Sequence, residues 1–170
     1  MLREESKSWQ HQPFISILTP IYNTNHEYLD ECIKSVREQA YENWELILID
    51  DNSSDPEIWP LLEGYAASDP RIKIKHRDAN GHICVASNDA LAMATGEWIA
   101  LLDHDDVLWP NALYEVVKRI NEKPNTLFVY SDEDKIAENG RTHCDPFFKP
   151  DWRPHFLWSC NYITHFAVLT

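Results

Sequence analysis

Apolar positions along the chain alternate between two kinds of run. Residues 14–19 (FISILT), 44–49 (WELILI), 98–102 (WIALL) and 127–131 (LFVYS) are short, β-rich and nearly continuous in apolar character. Such runs fit strands covered on both faces, as in a parallel sheet. Residues 72–76 (IKIKH) alternate apolar with polar and predict a more marginal strand, and 166–170 (FAVLT) predicts a last one. Between these runs the period changes. Leu29, Cys32, Ile33 and Val36 are spaced i, i+3, i+4, i+7, one face of a helix, with Asn25 placed to cap it. A second helix is predicted over 58–67 with Leu61, Leu62 and Tyr65 inward. A small-residue helix runs through Val85, Ala86, Asn88, Ala90, Leu91 and Ala94, closed by Gly96 near its C-cap. Leu113, Val116, Val117 and Ile120 form a further face, with Pro110 suited to that helix's first turn. Pro20 is expected to stop the first strand, and the polar, unpatterned residues 1–12 read as a loose lead-in.

Strands alternating with helices imply an α/β fold: a mostly parallel sheet sandwiched by helices. Ligands of such sheets bind beyond the carboxyl ends of the strands. Three acidic clusters fall at such ends here: Asp50/Asp51, Asp103/Asp105/Asp106 and Asp132/Glu133/Asp134.

The second cluster is the most demanding chemically. Like charges this close raise one another's pKa unless a cation relieves the repulsion. A hard divalent cation with oxygen ligands, Mg²⁺ or Mn²⁺, is the natural relief. If the chain stays extended here, Asp103 and Asp105 share one side and His104 and Asp106 the other, with roughly 6.5–7 Å between same-side neighbours.

Composition narrows the classes. A chain of 170 residues with 44% apolar content fits one globular domain. A net charge of −13 argues against a nucleic-acid binder, and a small anionic ligand would need local cations or helix N-termini. Cys32, Cys84, Cys144 and Cys160 are scattered with no C-x-x-C pair, so neither a zinc site nor a disulfide framework is expected. No apolar run is long enough to span a bilayer and no secretory h-region opens the chain, so a cytoplasmic protein is expected. The four glycines, Gly64, Gly81, Gly96 and Gly140, make neither a G-x-G-x-x-G dinucleotide fingerprint nor a Walker A loop.

Three motifs in order carry a resemblance: 15–23 (ISILTPIYN), 48–55 (LIDDNSSD) and 88–106 (NDALAMATGEWIALLDHDD). Together they closely resemble the family 2 glycosyltransferases of the GT-A fold, the nucleotide-diphospho-sugar transferase, Rossmann-like type. Residues 130–135 (YSDEDK) and 148–152 (FKPDW) look like the bacterial members that build O-antigen and other surface polysaccharides of the cell envelope. The resemblance covers about residue 14 to the end. It implies inverting, metal-dependent transfer of a sugar from a nucleotide sugar, a UDP- or dTDP-sugar, to a saccharide or lipid-linked acceptor. It also implies site roles. Pro20 and Tyr22 would grip the base and ribose, Tyr22 by packing on the ring, and Asp51 would accept a hydrogen bond from the base. Asp103-His104-Asp105 would be the D-x-D motif, with Asp105 on the metal and Asp103 toward ribose, donor sugar or metal. Asn80, Gly81 and Asn88 would line the donor pocket. The sequence departs from the pattern at His82, where a second glycine is expected, and at Ser87, where many members have Arg. The general base of the family lies further on than residue 170, so the catalytic residue is unassigned. The chain reads as a donor-binding domain over 13–170, truncated at its C-terminus, at the inner face of the membrane with any peripheral attachment through regions it lacks. The alternative is a catalytically silent nucleotide-sugar-binding module.

Other residues carry plainer readings. Asp50 and Asp51 also fit a strand-to-helix turn. Asp132/Glu133/Asp134 is balanced between a ligand contact and a solvated charge cluster. Phe147, Phe148, Trp152 and Trp158 fit either stacking on sugar rings or, the favoured reading, the core, and His143, His155 and His165 are expected as surface or core histidines, with a metal or base role open.

Overall fold

The computed structural model describes residues 2–137 and 140–170. Its elements in order are α1 (Leu2–Lys7), β1 (Ile15–Ile21), α2 (His26–Arg37), β2 (Trp44–Asp50), α3 (Ile58–Ser68), β3 (Ile72–His76) and α4 (His82–Met93). These are followed by β4 (Trp98–Leu101), α5 (Ala112–Glu122), β5 (Phe128–Tyr130), β6 (Glu133–Ile136), β7 (His143–Phe147), α6 (Pro154–Leu157) and β8 (Ala167–Leu169). Among the described residues six strands form one sheet in the order β3-β2-β1-β4-β8-β5, and β6 and β7 form a separate hairpin. β1 pairs in parallel with β2 and β4, and β2 with β3.

The helices form because one face of each is buried. In α2 the residues Leu29, Cys32, Ile33 and Val36 are all buried, and the Asn25 side chain accepts from the Glu27 N–H at 2.7 Å. Burying each such aliphatic side chain is worth roughly 1.5–3 kcal/mol. That outweighs the few tenths that Val, Ile and Cys lose in helix propensity. In α5, Leu113, Val116, Val117 and Ile120 are buried as the spacing predicts, with Pro110 in the turn before the helix and Asn111 as its cap. β2 is buried along its whole length, between two strands and beneath helices. Its one charged residue before the strand end, Glu45, is fully bonded: it accepts from Ser16 Oγ at 2.6 Å, Thr95 N at 2.7 Å and Thr95 Oγ1 at 3.0 Å.

Four expectations differ from the structure, each for a physical reason. Pro20 does not stop β1 but lies within it. Pairing with β4 ends at Leu18, so the donor that proline lacks would face the side of β1 with no partner. Gly96 does not cap α4, whose cap is Ala94. A Cβ at Gly96 would lie 2.7 Å from Phe14 O and Ser16 N, so glycine is required by close approach to β1. The lead-in contains α1, docked through buried Ser6, the Arg3–Glu42 ion pair at 3.1 Å and the Trp9–Tyr114 ring contact at 4.8 Å. The aromatics expected in the core are largely outside it: Phe148 is 77% and Trp158 80% exposed. The excursion that carries them folds on itself, with Phe156 stacked on buried Tyr162 at 5.2 Å.

β8 is antiparallel to both its neighbours, β4 and β5. That orientation has a positional consequence. Leu101 pairs with Ala167, so the residues just before β8 lie beside those just after β4. Among the described residues, no helix is long and apolar enough to cross a membrane.

Candidate functional site

At the carboxyl ends of β1, β2 and β4 the connecting loops enclose a cavity of about 290 Å³. Pro20, Ile21 and Tyr22 reach it from β1, Asp51 from β2, and Asp103, His104 and Asp105 from β4. Asn80 and the first turn of α4, through His82, Ile83 and Ala86, close the remaining side. Six of the residues singled out from sequence therefore meet here: Pro20, Tyr22, Asp51, Asn80, Asp103 and Asp105. Gly81 and Asn88 do not line it. Gly81 acts from behind, donating its N–H to both oxygens of Asp51 at 3.0 and 3.1 Å. Asn88 is exposed elsewhere on α4, as the helical turn from Ala86 requires.

The loops are tied to one another before any ligand arrives. Asn23, at φ 47°, receives Ser54 N and Oγ on its side-chain oxygen at 2.8 and 3.0 Å. Asn23 N donates in turn to Ser53 Oγ at 3.0 Å, fixing Tyr22 relative to the end of β2. Asp50 serves the turn reading: it accepts from Ser53 N at 3.0 Å and pairs with His76 at 2.8 Å. Asp51 differs. Its buried carboxylate faces the cavity and also takes a short hydrogen bond from Arg77 Nη1. Arg77 Nε donates to Asp89 at 2.8 Å, so the guanidinium links the β2 end to α4. Arg77 was not legible as part of the site, since it sits in a loop with no motif around it. The residue at 82 is informative in another way. His82 has φ 64°, the left-handed region that favours glycine, which accounts for the glycine expected there.

The extended geometry expected over 103–106 is not observed. Strand pairing ends at Leu101, and Asp106 N donates to Asp103 O at 3.3 Å, closing a turn. Asp103 and Asp106 thereby face the same neighbour, His165, whose Nδ1 lies 2.9 Å from Asp106 Oδ2 and 3.8 Å from Asp103 Oδ2. Ligand atoms of Asp103, Asp106 and His165 all lie within 4.8 Å of one another. Asp105 projects to the cavity, with its side chain 57% exposed and His104 Nδ1 at 3.9 Å. Burial pushes the Asp106 carboxyl above the usual aspartate range; the His165 hydrogen bond opposes the rise and the charges of Asp103 and Asp105 add to it. Beneath the turn, buried Cys32 donates its thiol to Asp103 O at 3.5 Å, and burial keeps that thiol protonated. The third acidic cluster is structural in its contacts: Asp132 accepts from Lys149 N at 2.7 Å, Glu133 pairs with Lys149 Nζ at 2.7 Å, and Asp134 pairs with His143 at 2.9 Å.

With this geometry in view, comparison with known families is decisive: residues 16–169 match the family described as Glycosyl transferase family 2. The chain belongs to that family. As a family 2 domain it is 35% identical over 158 residues to the O-antigen biosynthesis protein RfbC of Myxococcus xanthus, covering 93% of this chain and 12% of that protein. Among solved structures it is similar to S. aureus TarS 1–349 in complex with UDP-GlcNAc, with a TM-score of 0.59 and 27% identity, covering 64% of this chain and 31% of that one. It also shares its fold with the mannosyltransferase PcManGT of Pyrobaculum calidifontis in complex with GDP-Man and Mn²⁺, at TM-score 0.62 and 22% identity, covering 75% of this chain and 40% of that one. The chain thus spans less than half the length of each of these relatives. The fold is GT-A.

Proposed function

We propose that this domain binds the donor in a metal-dependent, inverting glycosyltransferase that moves a sugar from a nucleotide-diphosphate sugar to a saccharide or lipid-linked acceptor in bacterial surface-polysaccharide synthesis. One observation carries the reading. The cavity is lined by the three carboxylates of Asp51, Asp103 and Asp105, and among the described residues lining it none is Lys or Arg. A diphosphate can enter such a site only if something else neutralises it, the more so in a chain of net charge −13. The first turn of α4 offers backbone N–H groups and the positive end of a helix dipole, but this amounts to only about half a charge. A divalent cation supplies the rest: carboxylate oxygens suit Mg²⁺ or Mn²⁺, and ligand atoms of Asp103, Asp106 and His165 lie within 4.8 Å of one another at this end of β4.

Placement supports the roles that the family resemblance implies. Tyr22, 49% exposed at the cavity edge, offers a ring face to the base. Asp51 holds three hydrogen bonds from Arg77 and Gly81, which leaves about one of its roughly four acceptor positions for a base N–H. Asn80, held by its side-chain bond to Asp51 O at 3.3 Å, stands beside it toward the sugar. Asp103 and Asp105 hold the cation, whose chemistry is to neutralise the diphosphate as it becomes the leaving group. A UDP- or dTDP-sugar is the donor class proposed. The RfbC relative supports the polysaccharide setting by its name, and the TarS complex with UDP-GlcNAc supports a uridine donor.

The test is turnover by the full chain with Mn²⁺ and a panel of nucleotide sugars. Release of nucleoside diphosphate is expected. Binding without release supports the silent-module reading, and calorimetry showing no nucleotide binding with or without Mn²⁺ overturns both.

A further inference from the structure

The loop that leaves β4 for α5 is held from beneath. Leu108 N donates to Ser35 Oγ at 3.0 Å and Ala40 N to Pro110 O at 2.7 Å. Buried Gln39 uses both ends of its amide on the same stretch: Nε2 donates to Trp109 O at 2.8 Å, and Oε1 accepts from Leu113 N at 3.0 Å. The backbone at 108–110 is thus fixed by α2 and the turn after it, and none of these bonds uses the Trp109 side chain. That side chain is not in the core, since Trp109 is 62% exposed. It is nonetheless held in place. The indole stacks on His143 of β7, with ring centroids 5.1 Å apart and planes 25° from parallel, and His143 Nδ1 lies 2.9 Å from Asp134 Oδ2. One face of the indole is backed by an imidazole, and the exposure of the residue turns the other to solvent.

We propose that Trp109, backed by His143, is a platform on which a sugar ring of the acceptor stacks, so that this chain carries part of an acceptor site beside its donor cavity. The inference rests on the saccharide-acceptor reading of the reaction. Placement supports it: Trp109 follows Asp105 by four positions, so their Cα atoms are no more than about 14 Å apart, a distance a short saccharide spans. The chemistry of the surroundings selects the occupant. The negative π face of an indole attracts the weakly positive C–H groups on one side of a pyranose ring. Nearby carboxylates, Asp134 behind His143 and Asp105 upstream, can accept from the sugar's hydroxyls. A lipid surface or an apolar protein face covering the same spot would desolvate those charges without pairing them. His143 is a positioning residue here, because it fixes the plane of the ring that the sugar meets.

The experiment uses the full chain labelled with 5-fluorotryptophan, in the presence of UDP and Mg²⁺. The fluorine resonance that Trp109→Phe removes is assigned to Trp109. The probes are the methyl glycosides of glucose, galactose, N-acetylglucosamine and rhamnose. At least one should shift that resonance and receive saturation transfer at its ring C–H protons. Trp109→Ala should weaken its binding about fivefold, the size of one lost aromatic stack, with UDP affinity unchanged in calorimetry. Trp109→Leu, which keeps bulk without a π face, is read the same way if the alanine variant does not fold. His143→Ala should weaken the glycoside similarly, and His143→Phe, which keeps a ring against the indole, should restore it. Glycoside binding that the folded Trp109 variants leave unchanged overturns the inference, as does no binding of any probe to wild type that binds UDP. A Trp109 resonance moved by phosphatidylcholine vesicles and by no glycoside assigns the face to a membrane and overturns it likewise. Full glycoside affinity in folded His143→Ala overturns the positioning role. Failure of wild type to bind UDP overturns the donor reading itself.

Discussion

Arg77 donates a short hydrogen bond to the carboxylate of Asp51, and that carboxylate is both buried in the protein and part of the cavity wall. The side chain that is expected to read the nucleobase is therefore also a structural node. Asp51→Ala removes the hydrogen bond from Arg77 and leaves that guanidinium its bond to Asp89, so the folded state should lose stability. Urea denaturation should show that loss. Nucleotide affinity should fall equally with and without Mn²⁺, because the contact is to the base; UDP affinity unchanged in a folded Asp51 variant would remove the role.

Asp105→Ala should separate metal from fold. The side chain is more than half exposed at the end of a strand, so its loss should leave the unfolding midpoint within error. The Mn²⁺-dependent part of UDP binding should disappear in calorimetry. Equal affinity for UDP in the presence of Mn²⁺ in variant and wild type would show that the cation is held elsewhere.

Two glycines predict opposite outcomes. A Cβ at Gly96 meets Phe14 O, Ser16 N and Ser16 Oγ at 2.7 Å, mostly backbone that cannot move away cheaply. Gly96→Ala should destabilise by about 1–3 kcal/mol, the usual range for overpacking. Gly64, inside α3, has nothing within 4 Å of the position an added methyl would take, and Gly64→Ala should stabilise by about 0.5–1 kcal/mol. Thermal unfolding of both variants checks the pair.

Glu45 predicts an acid limb in stability. Burial opposes its charge, but the hydrogen bonds from Lys73, Ser16 and Thr95 prevail and hold the carboxyl below the ordinary glutamate range. Because the folded value lies below the unfolded one of about 4.3, the stabilisation is complete above that pH and is lost as pH falls through the folded value. Glu45→Gln should be less stable at pH 7 and show a shallower loss of stability below pH ~4.5, read from denaturant midpoints across pH.

Much of this site was legible because strands and helices here announce themselves locally. Val36 and Ile33 on one face of α2, or the unbroken apolar run of β2, need only their own neighbours in sequence. The ends of such strands then mark where Tyr22, Asp51, Asp103 and Asp105 must gather. Arg77 and His165 carry no local signal. Each becomes part of the site through a partner far along the chain, Asp51 for one and Asp106 for the other. The third acidic cluster could not be resolved from sequence for the same reason: its meaning lies in Lys149 and His143, which reach it only through the turn back into β7 and beyond.

Local periodicity and charge crowding alone determined the α/β architecture, the strand ends at which the acidic residues lie and the expectation of a cation at residues 103–106, since these depend on spacing within a few residues. Tertiary structure decided how those acidic residues are arranged. Pairing of β4 ends at Leu101, with a last bond from Leu102 N to Leu18 O at 3.1 Å, and Asp106 N then bonds back to Asp103 O, so the acidic residues turn instead of alternating. β8 returns antiparallel, so a histidine some sixty positions later in the chain stands against them at 2.9 Å. Register and strand direction are set by packing of the whole sheet, and no window of the sequence contains them.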